Sequence, residues 1–232
     1  MRHSVGALLS ALTLSLAACG TGGTVAPSDV AALRVYNASP DSPLVNIFLR
    51  GGQITQGLAY ASGRFHVFVQ SGAGTLEVQG STTADVLLDY PATLATGTYY
   101  TFAITGPVAA LQPVFLTDDT TAAPAGSFKV RMVHLAPLGP AMDLYITGPT
   151  DDLTAAMPVV SGLAYTNASA YLTGPVGTQR LRITEGGTKT VLREVGTFDF
   201  TTGESVTLLL IGNAGSGGGG APYSSQLVAD HL

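Results

Sequence analysis

The sequence predicts an all-β protein made of two tandem immunoglobulin-like β-sandwich domains. Three observations predict this fold. Apolar residues alternate with polar ones at a period of two in short runs, which is typical of half-buried strands. The 232 residues include 29 glycines and 13 prolines, so turns between strands are expected to be frequent. A segment near the N-terminus also recurs 97 positions later, which indicates that one sandwich follows another.

The N-terminal residues have the pattern of an export signal. A short basic start precedes an apolar run from Val5 to Leu16, which is too short to span a bilayer as a stable helix. The run ends in Leu16-Ala17-Ala18-Cys19, which resembles the lipobox of bacterial lipoproteins. The resemblance implies a lipoprotein signal peptide over residues 1–18, a diacylglycerol on the Cys19 thiol, and a further acyl chain such as palmitate on its amino group. An ordinary signal peptide followed by a coincidental cysteine is the alternative.

A flexible tether is predicted to follow the lipid. Residues 19–31 are rich in small and polar side chains, as in flexible linkers. Cys19 is the only cysteine, so no disulfide is predicted in the exported part. Because two or three acyl chains anchor a protein stably and one does not, the predicted location is the cell envelope. The lipid is expected in the cell membrane or the outer membrane.

Composition limits the classes of partner. Only 11% of the residues are charged and the formal net charge is −5, so no basic patch is available to neutralise phosphates. Nucleic acid is therefore not a predicted partner. The predicted membrane contact is the N-terminal lipid, and envelope proteins or glycans are the other partners considered. No cofactor is predicted.

The internal duplication sets the predicted domain boundaries. Leu33–Gly51 (LRVYNASPDSPLVNIFLRG) aligns with Val130–Gly148 (VRMVHLAPLGPAMDLYITG), and similarity continues to the end of each copy, where VFLTDD is matched by QLVADH. We expect a first sandwich over residues 32–118, a linker over 119–127 and a second sandwich over 128–232, with about seven strands in each. The clearest strands of the first copy are predicted at Leu33–Asn37, Leu44–Leu49, His66–Gln70, Thr75–Gln79, Tyr99–Thr105 and Pro113–Thr117.

The repeated segment also resembles a known family. The pattern in the second copy consists of His134, Pro137, Pro140, Asp143, Tyr145 and Gly148. It resembles the bacterial and archaeal surface family known as domain of unknown function 4397. The first copy departs from the pattern, with Asn37 where His is usual and Asn46 where Asp is usual. The resemblance implies an envelope β-sandwich module, often in tandem, with no established activity and no catalytic residues to carry over.

Four polar positions are the weak candidates for a site: His134, Asp143, Asp118 and Asp230. His134 is either a ligand or base, or a hydrogen-bonded residue at a strand end, which is the commoner role. Alternation places Asp143 on the face of its strand away from the core. If the neighbouring strand pairs with it, Arg131 shares that face and forms an exposed ion pair with Asp143.

Adjacent carboxylates give no stronger signal. Asp118-Asp119 and Asp151-Asp152 are expected in loops, where such pairs usually face water. No D-x-D-x-D-G calcium loop and no set of ligands with zinc spacing occurs. No metal is therefore predicted, although calcium held by oxygen atoms from separate loops stays an alternative.

Catalysis is not expected, because no G-x-S-x-G motif occurs and no nucleophile, base and orienting group can be assembled. The predicted function is that of a lipid-anchored envelope protein with a structural or interaction role. A module that binds glycan, peptide or solute is the alternative, and an enzyme of unknown type is third. Strand aromatics usually pack in cores, but six of them also suit a glycan or peptide groove: Tyr60, Phe65, Phe68, Tyr99, Tyr100 and Phe102.

Overall fold

The computed structural model describes residues 29–212 and 223–230, which form sixteen β-strands and a short 3-10 helix. Within these two ranges, no helix has the length and apolar character needed to cross a membrane. Cys19, the predicted signal peptide and most of the predicted tether lie outside the described residues.

The first half of the chain forms eight strands in two sheets. Sheet 1 has the strand order β3-β2-β5-β6, and sheet 2 has the order β4-β1-β7-β8. The 3-10 helix, Val108–Ala110, lies between β7 and β8. The strands are β1 (Val30–Ala38), β2 (Val45–Leu49), β3 (Gly52–Leu58), β4 (Ser62–Gln70), β5 (Gly72–Gly80), β6 (Val86–Leu94), β7 (Tyr99–Thr105) and β8 (Gln112–Asp118).

The second half repeats this arrangement. Sheet 3 has the order β12-β9-β15-β16 and sheet 4 the order β11-β10-β13-β14, so each strand takes the place of the one eight positions earlier. The first and seventh strands of each half run parallel, and the other pairs are antiparallel. The strands are β9 (Ser127–Leu135), β10 (Met142–Thr147), β11 (Val160–Leu163), β12 (Leu172–Pro175), β13 (Gly177–Glu185), β14 (Val191–Phe200), β15 (Ser205–Gly212) and β16 (Tyr223–Ala229).

The four sheets pack on one another in numerical order, with an apolar cluster between each neighbouring pair. One cluster fills the space between sheets 1 and 2, and another fills the space between sheets 3 and 4. The third lies between sheets 2 and 3 and includes Tyr36, Ala103, Val133 and Leu209. The molecule is therefore a pair of β-sandwiches whose inner sheets pack face to face, and the predicted all-β fold with two sandwiches is confirmed.

The two kinds of sheet differ in their burial pattern. In sheet 1, β2 alternates between buried and half-buried residues, as a strand with one face in a core should. In the inner sheets, β15 is buried at every residue and β9 at every residue but the first, since both of their faces are covered. Because both faces of the inner sheets are covered, much of the chain lies away from water, in keeping with a charged fraction of only 11%.

The predicted strands of the first half are all present, most of them longer than expected. Two further strands, β3 and β6, raise the number to eight in this half. The sequence of β6 contains Pro91, which argues against a central strand, but β6 is an edge strand of sheet 1, where proline is tolerated.

The two halves differ most in one connection and in one edge strand. A tight turn at Arg50 and Gly51 joins β2 to β3, whereas residues 148–159 join β10 to β11. The edge strand of sheet 2, β4, has nine residues, but its counterpart in sheet 3, β12, has only four.

Candidate functional site

The β4 edge of sheet 2 exposes apolar side chains. Among the described residues, β4 pairs with β1 on one side only, and its Phe65 and Phe68 are 86% and 64% exposed. Val67 is exposed as well. A long edge strand with exposed apolar residues offers both unpaired backbone groups and an apolar surface that favours association. Proteins usually avoid this combination unless the edge is used for binding.

A β-bulge positions the side chains of this edge. Val67 lies opposite Leu33 and Arg64 lies opposite Val35, so Phe65 and His66 together oppose the single residue between them on β1. The extra residue changes the direction of the side chains, as bulges do. His66 turns inward and its Nε2 lies 3.0 Å from Asp118 Oδ2, whereas Phe65 projects into solvent.

Two clefts flank β4 on opposite faces of sheet 2. The inner cleft, about 480 Å³, lies between β4 and β16 and is lined by Arg34, Tyr36, Phe65, His66 and residues 226–229. The outer cleft, about 440 Å³, lies between β3 and β4 and is lined by residues 54–56 and 64–67. Phe65 and His66 border both. An extended molecule lying along β4 would therefore have a cavity on each side of it.

The corresponding edge of sheet 3 is formed by the short β12 and the segment before it. The segment before the short β12 is joined to β9 by a bridge between Ala168 and Val133 and by a hydrogen bond from the Ser169 amide to the Met132 carbonyl oxygen. The Tyr171 ring lies beneath two cations, with its centroid 4.9 Å from the Arg131 guanidinium carbon. This edge presents no counterpart of the apolar surface of β4.

A buried charge network joins the two inner sheets. Arg34 donates to Thr101 Oγ1 of its own half (2.7 Å) and crosses the interface to Asp230 Oδ1 (2.5 Å) and the Ala229 carbonyl oxygen (2.7 Å). Both charged groups of the Arg34 pair are almost completely buried, so the pairing compensates the cost of removing them from water.

Arg131 repeats these contacts in the opposite direction. It donates to Thr207 Oγ1 of its own half (2.9 Å) and crosses the interface to the Thr117 carbonyl oxygen (2.9 Å) and to Asp118. Thr101 donates to Asp118 and Thr207 donates to Asp230. The network therefore has an approximate twofold symmetry that follows from the repeat.

Two predictions about these residues are wrong. Asp118 is not in a water-facing loop but is a buried residue at the end of β8. Burial raises the pKa of its carboxyl, but the hydrogen bond with His66 and the guanidinium groups of Arg34 and Arg131 outweigh this and hold the pKa below its usual value. Asp151 and Asp152, in contrast, are exposed as predicted.

Arg131 also does not pair with Asp143. Their strands, β9 and β10, belong to different sheets, and both side chains are buried. The error arose because strands adjacent in sequence were assumed to be adjacent in a sheet, whereas in this fold the chain crosses from one sheet to the next.

His134 ties down the loop that follows β9. Its Nδ1 accepts a hydrogen bond from the Ala136 amide (3.3 Å), and its Nε2 lies 3.0 Å from the Pro140 carbonyl oxygen. Burial lowers the pKa of this imidazole, more than the contact with Pro140 raises it. Asn37 makes the same contact in the first half, accepting from the Ser39 amide at 3.1 Å. His134 is thus a loop anchor.

Asp143 anchors two other turns. Its Oδ1 accepts from the Gly162 amide (2.6 Å) and its Oδ2 accepts from the Gly187 amide (2.9 Å). Asn46 does the same for the Gly57 amide (2.9 Å). Gly57 and Gly162 both have a φ of +61°, a conformation that favours glycine. The structure does not bring His134 and Asp143 together, and each is occupied by backbone groups.

No cluster of three or more His, Cys, Asp or Glu side chains with metal-binding potential occurs in the part of the chain that the structure describes. Asp118 and Asp230 lie in the same network but are held apart by the two arginines. The four candidate polar positions therefore do not form one site.

Comparison with protein families gives a match over residues 31–145, to the family described as Domain of unknown function (DUF4397). Through these residues the chain belongs to the DUF4397 family. The matched DUF4397 region begins in β1 and ends within β10, so it contains the whole of β4 and both aromatic residues exposed there. That the second half is a further DUF4397 copy stays a prediction, although its strand order is the same.

Solved structures with some similarity to this DUF4397 protein include two with carbohydrate ligands in their descriptions. One is CBMbc (family CBM26) from Eubacterium rectale Amy13K in complex with maltoheptaose, at 11% identity and a TM-score of 0.24, with 86% of this chain and 96% of that chain covered. The other is a streptococcal virulence factor described by its α-glucan binding, at 10% identity and a TM-score of 0.26, with 77% and 92% covered. None of the curated proteins matches the chain.

The charge network of the DUF4397 sandwich pair was not predicted from sequence. The signal was nevertheless available in the repeat: Arg34 and Arg131 lie in β1 and β9, Thr101 and Thr207 in β7 and β15, and Asp118 and Asp230 at the end of β8 and directly after β16. Phe65 and Phe68 were predicted to be core residues more readily than groove residues, and their exposure contradicts the core assignment. Tyr100 and Phe102, in contrast, are core residues.

Proposed function

We propose that this DUF4397 protein is a lipid-anchored binding module of the cell envelope, which holds a partner at the β4 edge and performs no catalysis. The observation that carries the proposal is the exposure of Phe65 and Phe68 on an edge strand between two clefts. Binding at such a surface is favourable, because a partner removes the apolar area from water and forms hydrogen bonds with the backbone groups of the edge.

The contacts of the candidate polar residues support a role without catalysis. His134 and Asp143 are bonded to backbone groups of neighbouring turns, and Asp118 and Asp230 are paired with arginines. A general base must instead reach a proton of a bound substrate. Within the described residues, these carboxylates and this imidazole serve the fold.

The proposed anchor is the lipid on Cys19, with residues 19–31 serving as the tether that their small and polar composition predicts. This arrangement keeps the two sandwiches at the membrane surface while leaving the β4 edge accessible. Stable attachment requires the two or three acyl chains that the lipobox resemblance implies.

Crosslinking in intact cells, followed by identification of the captured material, tests the proposal. The test variant carries Phe65→Ser and Phe68→Ser, and the matched control carries Leu138→Ser and Met157→Ser, two exposed apolar residues of loops in the second half. We expect the test variant to lose the captured partner and the control to retain it. The free energy of unfolding of both variants should lie within about 0.5 kcal/mol of the wild-type value, because substitutions of exposed residues change stability little.

Two further results complete the test. A Cys19→Ser variant should leave the membrane fraction, and its retention there would refute the lipid anchor. Capture of the same partners by the Phe65→Ser, Phe68→Ser variant would refute the assignment of the binding surface. Protease treatment of the captured material distinguishes a protein partner from a glycan partner.

A further inference from the structure

We infer that the β4 edge binds an extended polypeptide segment as an added strand of sheet 2, and that this segment carries apolar side chains and a carboxylate. The inference rests on the proposed function, because both place the partner at the same edge. It goes further by naming the chemistry of the partner and the way in which its backbone is held.

The backbone of β4 is the first argument. β4 extends over nine residues, Ser62–Gln70, and within residues 29–212 and 223–230 its ladder is formed with β1 alone. An edge strand of this length offers a row of amide and carbonyl groups to a second chain, and an extended peptide satisfies them by continuing the sheet.

The two clefts are the second argument. Successive side chains of a strand point to opposite faces of its sheet. A strand added beside β4 would direct alternate side chains into the inner cleft on the side of sheet 3 and into the outer cleft on the side of sheet 1. Phe65 borders both clefts and would contact the backbone between two such side chains. The apolar character of Phe65, Val67 and Phe68 favours apolar partners in these positions.

The local charge is the third argument. The protein has a net charge of −5, but in the part of the chain that the structure describes no Asp or Glu lines either cleft, and Arg64 is exposed at the outer one. Its Nε donates to Thr55 Oγ1 at 3.1 Å, which holds the guanidinium at the rim. A carboxylate is the natural complement of this group. A second copy of this chain is less suitable, because another β4 would bring a second Arg64 and no carboxylate.

Synthetic nine-residue peptides test the inference on the full-length protein purified in detergent. The probe alternates Val and Thr and has Glu at its centre, and the matched control has Lys at its centre. Binding is measured by fluorescence anisotropy. We expect the Glu peptide to bind at least about tenfold more tightly than the Lys peptide. An Arg64→Gln variant should abolish that preference.

Backbone methylation tests the strand pairing itself. Two forms of the Glu peptide carry N-methyl groups on alternate residues, one form on the odd and one on the even positions. Because only one edge of an added strand faces β4, one methylated form should lose binding by about a hundredfold or more, and the other should bind like the parent. Equal binding of both forms, or no binding of the Glu peptide, would overturn the inference.

The outcome separates the two proposals. If strand pairing fails while the Phe65→Ser, Phe68→Ser variant still loses its partner in cells, the β4 edge remains the binding surface and the partner is of another class. If that variant keeps its partner in cells, the proposed function fails, whatever the peptides do.

Discussion

The two halves of this protein have one strand order and two different inner edges. β4 is long and exposes Phe65 and Phe68, whereas β12 is short and lies beside a segment that bonds to β9. The buried contacts between the inner sheets, in contrast, are repeated almost atom for atom in both directions. The comparison teaches that the repeated contacts maintain the fold, and that binding is to be sought where the halves differ.

The largest effect is expected from breaking the repeated charge network. Arg34→Met leaves buried Asp230 without its cross-interface partner, so it should lower the free energy of unfolding by about 3–5 kcal/mol. Arg131→Met should cost less, because Asp118 keeps its contacts with Arg34 and His66. Urea unfolding monitored by circular dichroism measures this. Arg180→Met, which removes a more exposed pair with Glu194, is the control and should cost less than about 1 kcal/mol.

A larger loss for Arg34→Met than for Arg131→Met would sharpen the comparison between the halves. The opposite order would break it, because Asp118 keeps Arg34 and His66 as partners.

A second effect concerns a glycine on each inner edge. An alanine Cβ at Gly63 would overlap the Tyr36 ring, and one at Gly174 would lie 2.6 Å from Phe128 Cε1. Gly63→Ala and Gly174→Ala should therefore each cost about 1–3 kcal/mol through overpacking. Gly52→Ala is the control, because its Cβ would lie at an ordinary distance of 3.4 Å from the Leu49 carbonyl oxygen. Thermal unfolding of the three variants measures the effect. If Gly174→Ala were harmless while Gly63→Ala was not, the short edge would be more adaptable than the long one.

A third, smaller effect tests the anchors of the glycine turns. Asp143→Asn keeps one amide partner and loses the other, so it should cost about 1–2 kcal/mol. Asn46→Asp keeps the hydrogen bond from the Gly57 amide and should cost less than about 1 kcal/mol. Differential scanning calorimetry on both variants provides the measurement. A greater loss for the Asn46 variant would contradict the assigned contacts.

The smallest effect is a pH dependence that arises from His134 of the second half. The lowered pKa of buried His134 means that the unfolded chain binds a proton more readily than the folded one. Its contribution to stability is fully present above about pH 6.5 and is lost as the pH falls toward the folded-state pKa. His134→Asn, which copies Asn37, should remove this slope between pH 7 and pH 5 in urea unfolding. An unchanged slope would show that another group titrates.

The sequence predicted the strands and the two similar halves better than it predicted the contacts between sheets. Period-two alternation identified β2 and β5 because each has one face in a core, and the repeat predicted two similar halves. The same alternation placed Asp143 on a side facing water, whereas the turns at Gly162 and Gly187 bond to it. Asp118 was misplaced because adjacent carboxylates were expected to lie in a loop. In this molecule the outward faces of β1 and β9 contact each other, and the sequence of one strand does not reveal which surface covers it.

The candidate site was harder to predict than the fold. Phe65 and Phe68 have the composition of core residues, and only the edge position of β4 and the bulge opposite Arg34 expose them. Strand order and bulges depend on contacts between distant parts of the chain, so local patterns could not show them.

The parallel pairing of the first and seventh strands has a mechanical consequence. β1 is joined to β7 over seven residue pairs, from Ala32 with Tyr99 to Ala38 with Thr105, and it lies between two strands within its sheet. A force applied to the chain ahead of Val30 would pull β1 along its own axis. The bonds to both neighbours would then be sheared together rather than opened one at a time. A protein held at a surface by its N-terminal segment would therefore carry load through a strand that is bonded to a neighbour on both sides.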